Sequence, residues 1–245
     1  MIPTRQQDIR HKSQLLKLLV EIADDNFLAQ NLYFKGGTCA AMLNYLDRFS
    51  VDLDFDLNPK ADVTKVRSHF ESVFANLDLK IDGQSQKVPE YFLKYSAPAN
   101  ERNTLKIDAF GPVLNTNVYK PHHLEEIDRT LNCQTIETML ANKLVAASER
   151  FDRHHTIAGR DIYDLYYFFN QGYSFEPAVV EERTGLTIKN YLEKLVRLIE
   201  KEVTETVINE DLNALLPLDK FNKIRKTLKQ EVINILKSQI TLVPQ

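Results

Sequence analysis

Residues 51–57 read Val-Asp-Leu-Asp-Phe-Asp-Leu, apolar and acidic side chains in strict alternation. An extended strand is the backbone that sends such neighbours to opposite faces. Val51, Leu53, Phe55 and Leu57 therefore face a core, and Asp52, Asp54 and Asp56 share the other side. Asp52 and Asp54 emerge about 7 Å apart on that side. Three carboxylates in file repel one another, and the cost of holding them together without a cation argues for bound metal.

The residues upstream sharpen this. Leu32-Tyr33-Phe34 reads as a short strand running into Lys35-Gly36-Gly37-Thr38, with residues 39–46 as the helix that follows. Glycines let the backbone come close to a phosphate, and the first turn of a helix offers unpaired N–H groups and the positive end of its dipole. Downstream, Leu105, Ile107 and Ala109 alternate with Lys106 and Asp108. If that strand pairs beside the first, Asp108 becomes a third acid at the same platform.

Composition sets the outer bounds. A chain of 245 residues with 43% hydrophobic and 27% charged residues is an ordinary globular protein of one large or two small domains. No uncharged apolar run approaches the roughly 18 residues of a membrane span, and the amino terminus has no secretion-signal pattern. Two cysteines, Cys39 and Cys133, are too few for a disulfide framework or a thiolate metal site, so a reducing cytoplasm is the expected home. A net charge of −3 argues against a nonspecific nucleic-acid coat. Lys220, Lys223, Arg225, Lys226 and Lys229 nevertheless cluster, either as a solvated helix surface or as a face for RNA or phosphate.

Apolar spacing predicts a long first helix carrying Ile9, Leu15, Leu16, Leu19 and Ile22, opened by a Thr4-Arg5-Gln6-Gln7 capping box. A helix over 63–77 follows, then strands near 79–81 and 90–95, and a strand closed by Gly111-Pro112. Beyond about residue 125 the pattern is helical. The expected organisation is α+β: an α/β domain over residues 1–125 and a helical domain over 126–245 that closes the active cleft.

The helical half offers its own candidates. Lys143 lies on the apolar stripe of Ile136, Met139, Leu140, Leu144 and Ala147, where a lysine either snorkels to an edge or reaches a phosphate or carboxylate. Asp161 and Asp164 share a face of the next helix's first turn, where capping alone would also explain them. Arg150 with His155 has the spacing of a helical ribonuclease pair, a spacing common by chance. The pairs His122-His123 and His154-His155 read as exposed loop histidines.

Taken in order, four signatures resemble the AbiEii/AbiGii family of nucleotidyltransferase-fold toxins. They are Phe34-Lys35-Gly36-Gly37-Thr38; Arg48-Phe49-Ser50 leading into Asp52-Leu53-Asp54-Phe55; Lys106-Ile107-Asp108; and Asn142-Lys143-Leu144 followed by Arg160-Asp161-Ile162-Tyr163-Asp164. The resemblance spans residues 34–169 and leaves the last 70 or so residues unmatched. It implies a nucleotidyltransferase-fold mixed sheet with flanking helices, and an enzyme that uses a nucleoside triphosphate with two magnesium ions, manganese being the alternative. By match, Gly36, Gly37 and Thr38 would cradle phosphate, and Asp52 and Asp54 would hold metal. Asp108 would complete the acid set, as ligand or as base. Lys143 and Asp161 match residues needed for activity, with Asp164 as partner in nucleotide binding. The implied setting is a toxin–antitoxin or abortive-infection pair, with tRNA or another RNA as acceptor, an antitoxin as protein partner, and no membrane. Rival expectations are an antibiotic-type small-molecule nucleotidyltransferase, a phosphotransferase, and a binding module with a decayed site.

Overall fold

The computed structural model describes residues 5–111 and 113–243, so Thr4 of the expected capping box and Pro112 lie outside the described residues. The chain forms two compact units, Met1–Thr135 and Ile136–Gln245.

The first unit runs α1 (Gln6–Asp24), α2 (Asn26–Asn31), β1 (Leu32–Lys35), α3 (Gly36–Met42), β2 (Asp52–Leu57), α4 (Val63–Asn76), β3 (Lys80–Gln84), β4 (Glu90–Lys94), β5 (Thr104–Phe110), β6 (Tyr119–Leu124) and β7 (Arg129–Gln134). Its strands form one mixed sheet in the order β3-β4-β5-β2-β1-β7-β6. β2 is central, antiparallel to β1 and parallel to β5. The alternation of β2 fixes which face is dry: Leu53, Phe55, Ile107, Ala109, Phe34, Tyr91 and Leu93 are buried on one side, under α1 and α4. The opposite face carries the acids.

Three elements differ from the sequence expectation. The helix expected over 39–46 begins at Gly36 and ends at Met42. Gly36, at φ +79°, turns strand directly into helix, and Asn44, at φ 59°, cannot continue it. The chain does not turn helical at about 125, because Arg129–Gln134 is β7, paired with β6 and, at Cys133, with Phe34 of β1. Its short alternation, with Leu131 and Cys133 buried, is too brief to stand out from the helix that follows. His122 and His123 accordingly sit on a strand rather than in a loop.

The inner face of α1 also departs from expectation. Leu15, Leu18, Leu19 and Ile22 are buried as an apolar stripe, but Ile9 is 59% exposed and the first turns bury Asp8 and His11 instead. Arg5 pairs with Asp8 at 3.0 Å. His11 bridges Tyr95 Oη (3.0 Å) and the Val51 carbonyl (2.7 Å), which anchors the chain just before β2. Burial pushes the His11 pKa down to about 4. The unfolded chain, titrating near 6.5, therefore binds the extra proton first as pH falls. Stability from this group is complete above pH 6.5 and declines between pH 6.5 and 4, by about 3 kcal/mol in all. Urea unfolding across that range should show the slope, and His11→Gln should flatten it.

The second unit is helical: α5 (Ile136–His154), α6 (Gly159–Asn170), α7 (Pro177–Thr184), α8 (Ile188–Glu202), α9 (Glu205–Leu212), α10 (Leu218–Ile224) and α11 (Leu228–Leu242). α7 has Pro177 in its first turn and a left-handed Gly185 just past its end, the usual asymmetry of helix punctuation. Tyr191, Leu192, Leu195, Val196 and Ile199 give α8 a buried stripe, and α11 packs along this helix. The basic cluster is largely engaged in this packing. Lys220 lies over the rings of Tyr163 and Tyr167, Arg225 faces Glu205 at 3.6 Å, and Lys229 donates to the Glu200 carbonyl. No described helix is long and apolar enough to cross a membrane.

Candidate active site

β2 and β5 run parallel with Asp54 opposite Asp108 and Asp52 opposite Lys106. On a pleated sheet, side chains opposite one another on adjacent strands share a face and are close neighbours. Asp54 and Asp108 thus stand side by side, with Asp52 two residues along the same face. Burial raises the pKa of Asp108, and the neighbouring charge of Asp54 adds to the rise; Lys106 and Lys35 oppose it.

The glycine turn closes against these acids. A Cβ built on Gly36 would fall 2.2 Å from Asp54 Oδ2, and one on Gly37 would fall 2.8 Å from Ser50 Oγ and 3.1 Å from an Arg48 guanidinium nitrogen. The Thr38 side chain is buried and its hydroxyl donates to the Asp52 carbonyl at 2.5 Å. Thr38 therefore ties the turn to the start of β2, and its backbone N–H is the group it can offer a phosphate. Gly36→Ala should be the more damaging of the two glycine changes. It forces a side chain into the left-handed region at about 1–2 kcal/mol and displaces the Asp54 carboxylate as well. We expect at least a tenfold loss of turnover from it in steady-state transfer, and a smaller one from Gly37→Ala.

Several residues of this face take roles that the sequence pattern does not assign. Asp56, third in the acidic file, is buried and accepts from Lys35 Nζ (2.7 Å), Tyr119 Oη (2.8 Å) and Gln134 Nε2 (2.7 Å). These three donors make it a structural anchor of the sheet face. Lys106 Nζ lies 2.9 Å from Glu90 and 3.1 Å from Asp108. Burial works against its charge, but the two carboxylates outweigh burial and hold the ammonium above the ordinary lysine pKa. Arg48 and Ser50, just ahead of β2, are buried against Gly37. The available signal for Lys35 and Lys106 was their alternation with core residues on the same strands as the glycine turn and Asp108.

Among the described residues, no three His, Cys, Asp or Glu side chains converge as a ready metal site. The acids nonetheless suit a hard divalent cation. Magnesium is commonly held by one or two carboxylates, with waters and substrate phosphates completing the shell. Asp54 and Asp108 supply two such oxygens side by side, and their mutual repulsion is what a cation would relieve.

The remaining candidates belong to the second unit. Lys143 Nζ lies 2.8 Å from Asp164 and 4.0 Å from Asp161. Asp164 is the nearer partner of Lys143. Asp161 is instead held at 3.1 Å by Arg150, which lies seven residues, two helical turns, beyond Lys143 on α5. That i, i+7 spacing is the signal that could have found Arg150. Both aspartates are buried, so each depends on its cationic partner to offset the cost of leaving water.

Comparison with known proteins identifies the family. A family profile described as nucleotidyl transferase AbiEii toxin, type IV TA system, matches residues 17–234, extending the likeness well past residue 169. The chain is similar to the crystal structure of an H. pylori protein provisionally assigned as a nucleotidyltransferase, at 21% identity and TM-score 0.56, covering 99% of this chain and 100% of that one. It is also similar to JHP933 from Helicobacter pylori, at 21% identity and TM-score 0.53, covering 96% and 95%. No curated protein matches the sequence.

Proposed function

Because the chain belongs to the AbiEii nucleotidyltransferase toxin family, we propose that it moves a nucleoside monophosphate from a triphosphate to the 3′ end of a tRNA, with magnesium, in the cytoplasm. The observation that carries this reading is the pairing of Asp54 with Asp108 beside the Gly36 turn. Family membership implies a nucleotide substrate and an antitoxin partner; the tRNA acceptor and the choice of magnesium are our inference.

In this proposal Asp54 and Asp108 would hold the metal side by side, and Asp52, two residues along the same face, would join them. Bound there, the metal would neutralise charge on the triphosphate and lower the pKa of the acceptor hydroxyl. The N–H groups of Gly37 and Thr38 bind phosphate oxygens through a backbone that Gly36 brings close to Asp54. Asp108 either stays in the metal's ligand set or, in its place, accepts the acceptor's proton. Lys106 orients the Asp108 carboxylate. Lys143 and Asp161 match family residues needed for activity, with Asp164 as partner in nucleotide binding.

The test is incubation of the purified protein with magnesium, total RNA and each α-labelled triphosphate in turn. Label on tRNA from one triphosphate supports the reading and names the nucleotide. Absence of label from every RNA would move the acceptor to a protein or a small molecule.

A further inference from the structure

Phe92 and Phe110 are the two exposed phenylalanines among the described residues, 40% and 47% accessible, and neither belongs to a core. Both stand on the acid-bearing face. Phe92 of β4 is opposite Lys106 of β5, itself opposite Asp52, and Phe110 ends β5 opposite Asp56. Lys106 and Phe110 are four residues apart, about 13 Å of strand, with Asp108 midway between them. One aromatic ring therefore lies on each side of the Asp54–Asp108 pair.

Each ring also carries a cation. Lys106 Nζ is 5.9 Å from the centre of Phe92, and Lys35 Nζ is 5.9 Å from the centre of Phe110. An accessible ring beside an ammonium, on a sheet face, is the combination that stacks a base and meets its phosphate. A scattered exposed phenylalanine needs no explanation. Two of them, each with a lysine, flanking the carboxylates that serve nucleotide transfer, match the two nucleosides such a reaction must hold.

We infer that Phe92 and Phe110 are base-stacking platforms on opposite sides of the acids, one taking the base of the incoming nucleotide and the other the terminal base of a single-stranded RNA acceptor. The inference rests on the proposed RNA-directed reaction. It predicts an acceptor with an unpaired 3′ end, because a base within a duplex cannot lie on either ring.

The experiment uses the full chain with magnesium and two fluorescent probes. One is 2-aminopurine riboside α,β-methylene triphosphate, which cannot be transferred; the other is an RNA trinucleotide ending in 2-aminopurine. Stacking should quench both. Phe92→Ala and Phe110→Ala should each weaken binding of a different probe about tenfold, and the corresponding Tyr variants should restore it. Unquenched probes, unchanged affinities, or both variants weakening the same probe alone would overturn the inference. Wild-type protein that quenches both probes yet labels no RNA would refute the acceptor reading and leave the platforms standing. Labelling of RNA with no effect of either Ala variant would do the reverse.

Discussion

Asp54→Ala is expected to lower turnover by about a thousandfold or more while the protein stays folded. Asp54 sits opposite Asp108 and against Gly36, so its carboxylate contributes repulsion as well as chemistry. Removing it relieves the charge that helps raise the Asp108 pKa, and stability should stay within about 1 kcal/mol of wild type or rise slightly. A double-mutant cycle makes the point sharper. In Gly36→Ala, the new methyl group meets the Asp54 carboxylate, so adding Asp54→Ala should recover part of the lost stability. Residues in contact couple in this way, whereas independent sites add. Urea unfolding of the four proteins measures the coupling, and single-turnover transfer measures the catalytic loss.

Lys143→Met should be the most destabilising of the charge changes. Lys143 meets Asp164, whose side chain is fully buried, at 2.8 Å, and it also faces the nearly buried Asp161. Removing one partner of a buried ion pair leaves the other charge poorly compensated, at about 3–5 kcal/mol. Lys143→Arg keeps the charge and should retain most of the stability. If Lys143 also serves the reaction, as proposed, transfer will fall in the Arg variant further than its stability does. Arg150→Ala should cost less than Lys143→Met, since Arg150 is about a third exposed and contacts Asp161 alone among the two acids. Thermal or urea unfolding orders the three variants.

The strands bearing the acids were legible because β2 and β5 alternate without a break, and the period of two decides which side chains face the core. The glycine turn was legible from its composition. What the sequence did not disclose follows from long-range pairing. Asp56 looks equivalent to Asp52 and Asp54 along β2, and only the approach of Lys35, Tyr119 and Gln134 makes it an anchor. His11 was hidden because a buried histidine on an otherwise apolar stripe gains its place from Tyr95 and Val51, far along the chain. The neighbourhoods of Phe92 and Phe110 depend on strand order, which local periodicity does not report. In the helical unit, the motif residues Lys143, Asp161 and Asp164 were found, but the choice of Asp164 as the closer partner required the packing of α5 against α6.

A paired labelling experiment asks which phosphorus of the triphosphate is transferred. Wild-type protein and Asp54→Ala are given the same triphosphate carrying label at either the α- or the γ-phosphate, with RNA as acceptor. Nucleotidyl transfer predicts acceptor labelled from the α position alone, pyrophosphate released, and both signals lost in Asp54→Ala. Label arriving from the γ position, or transfer undiminished in the variant, would contradict the assignment of these acids to nucleotide transfer.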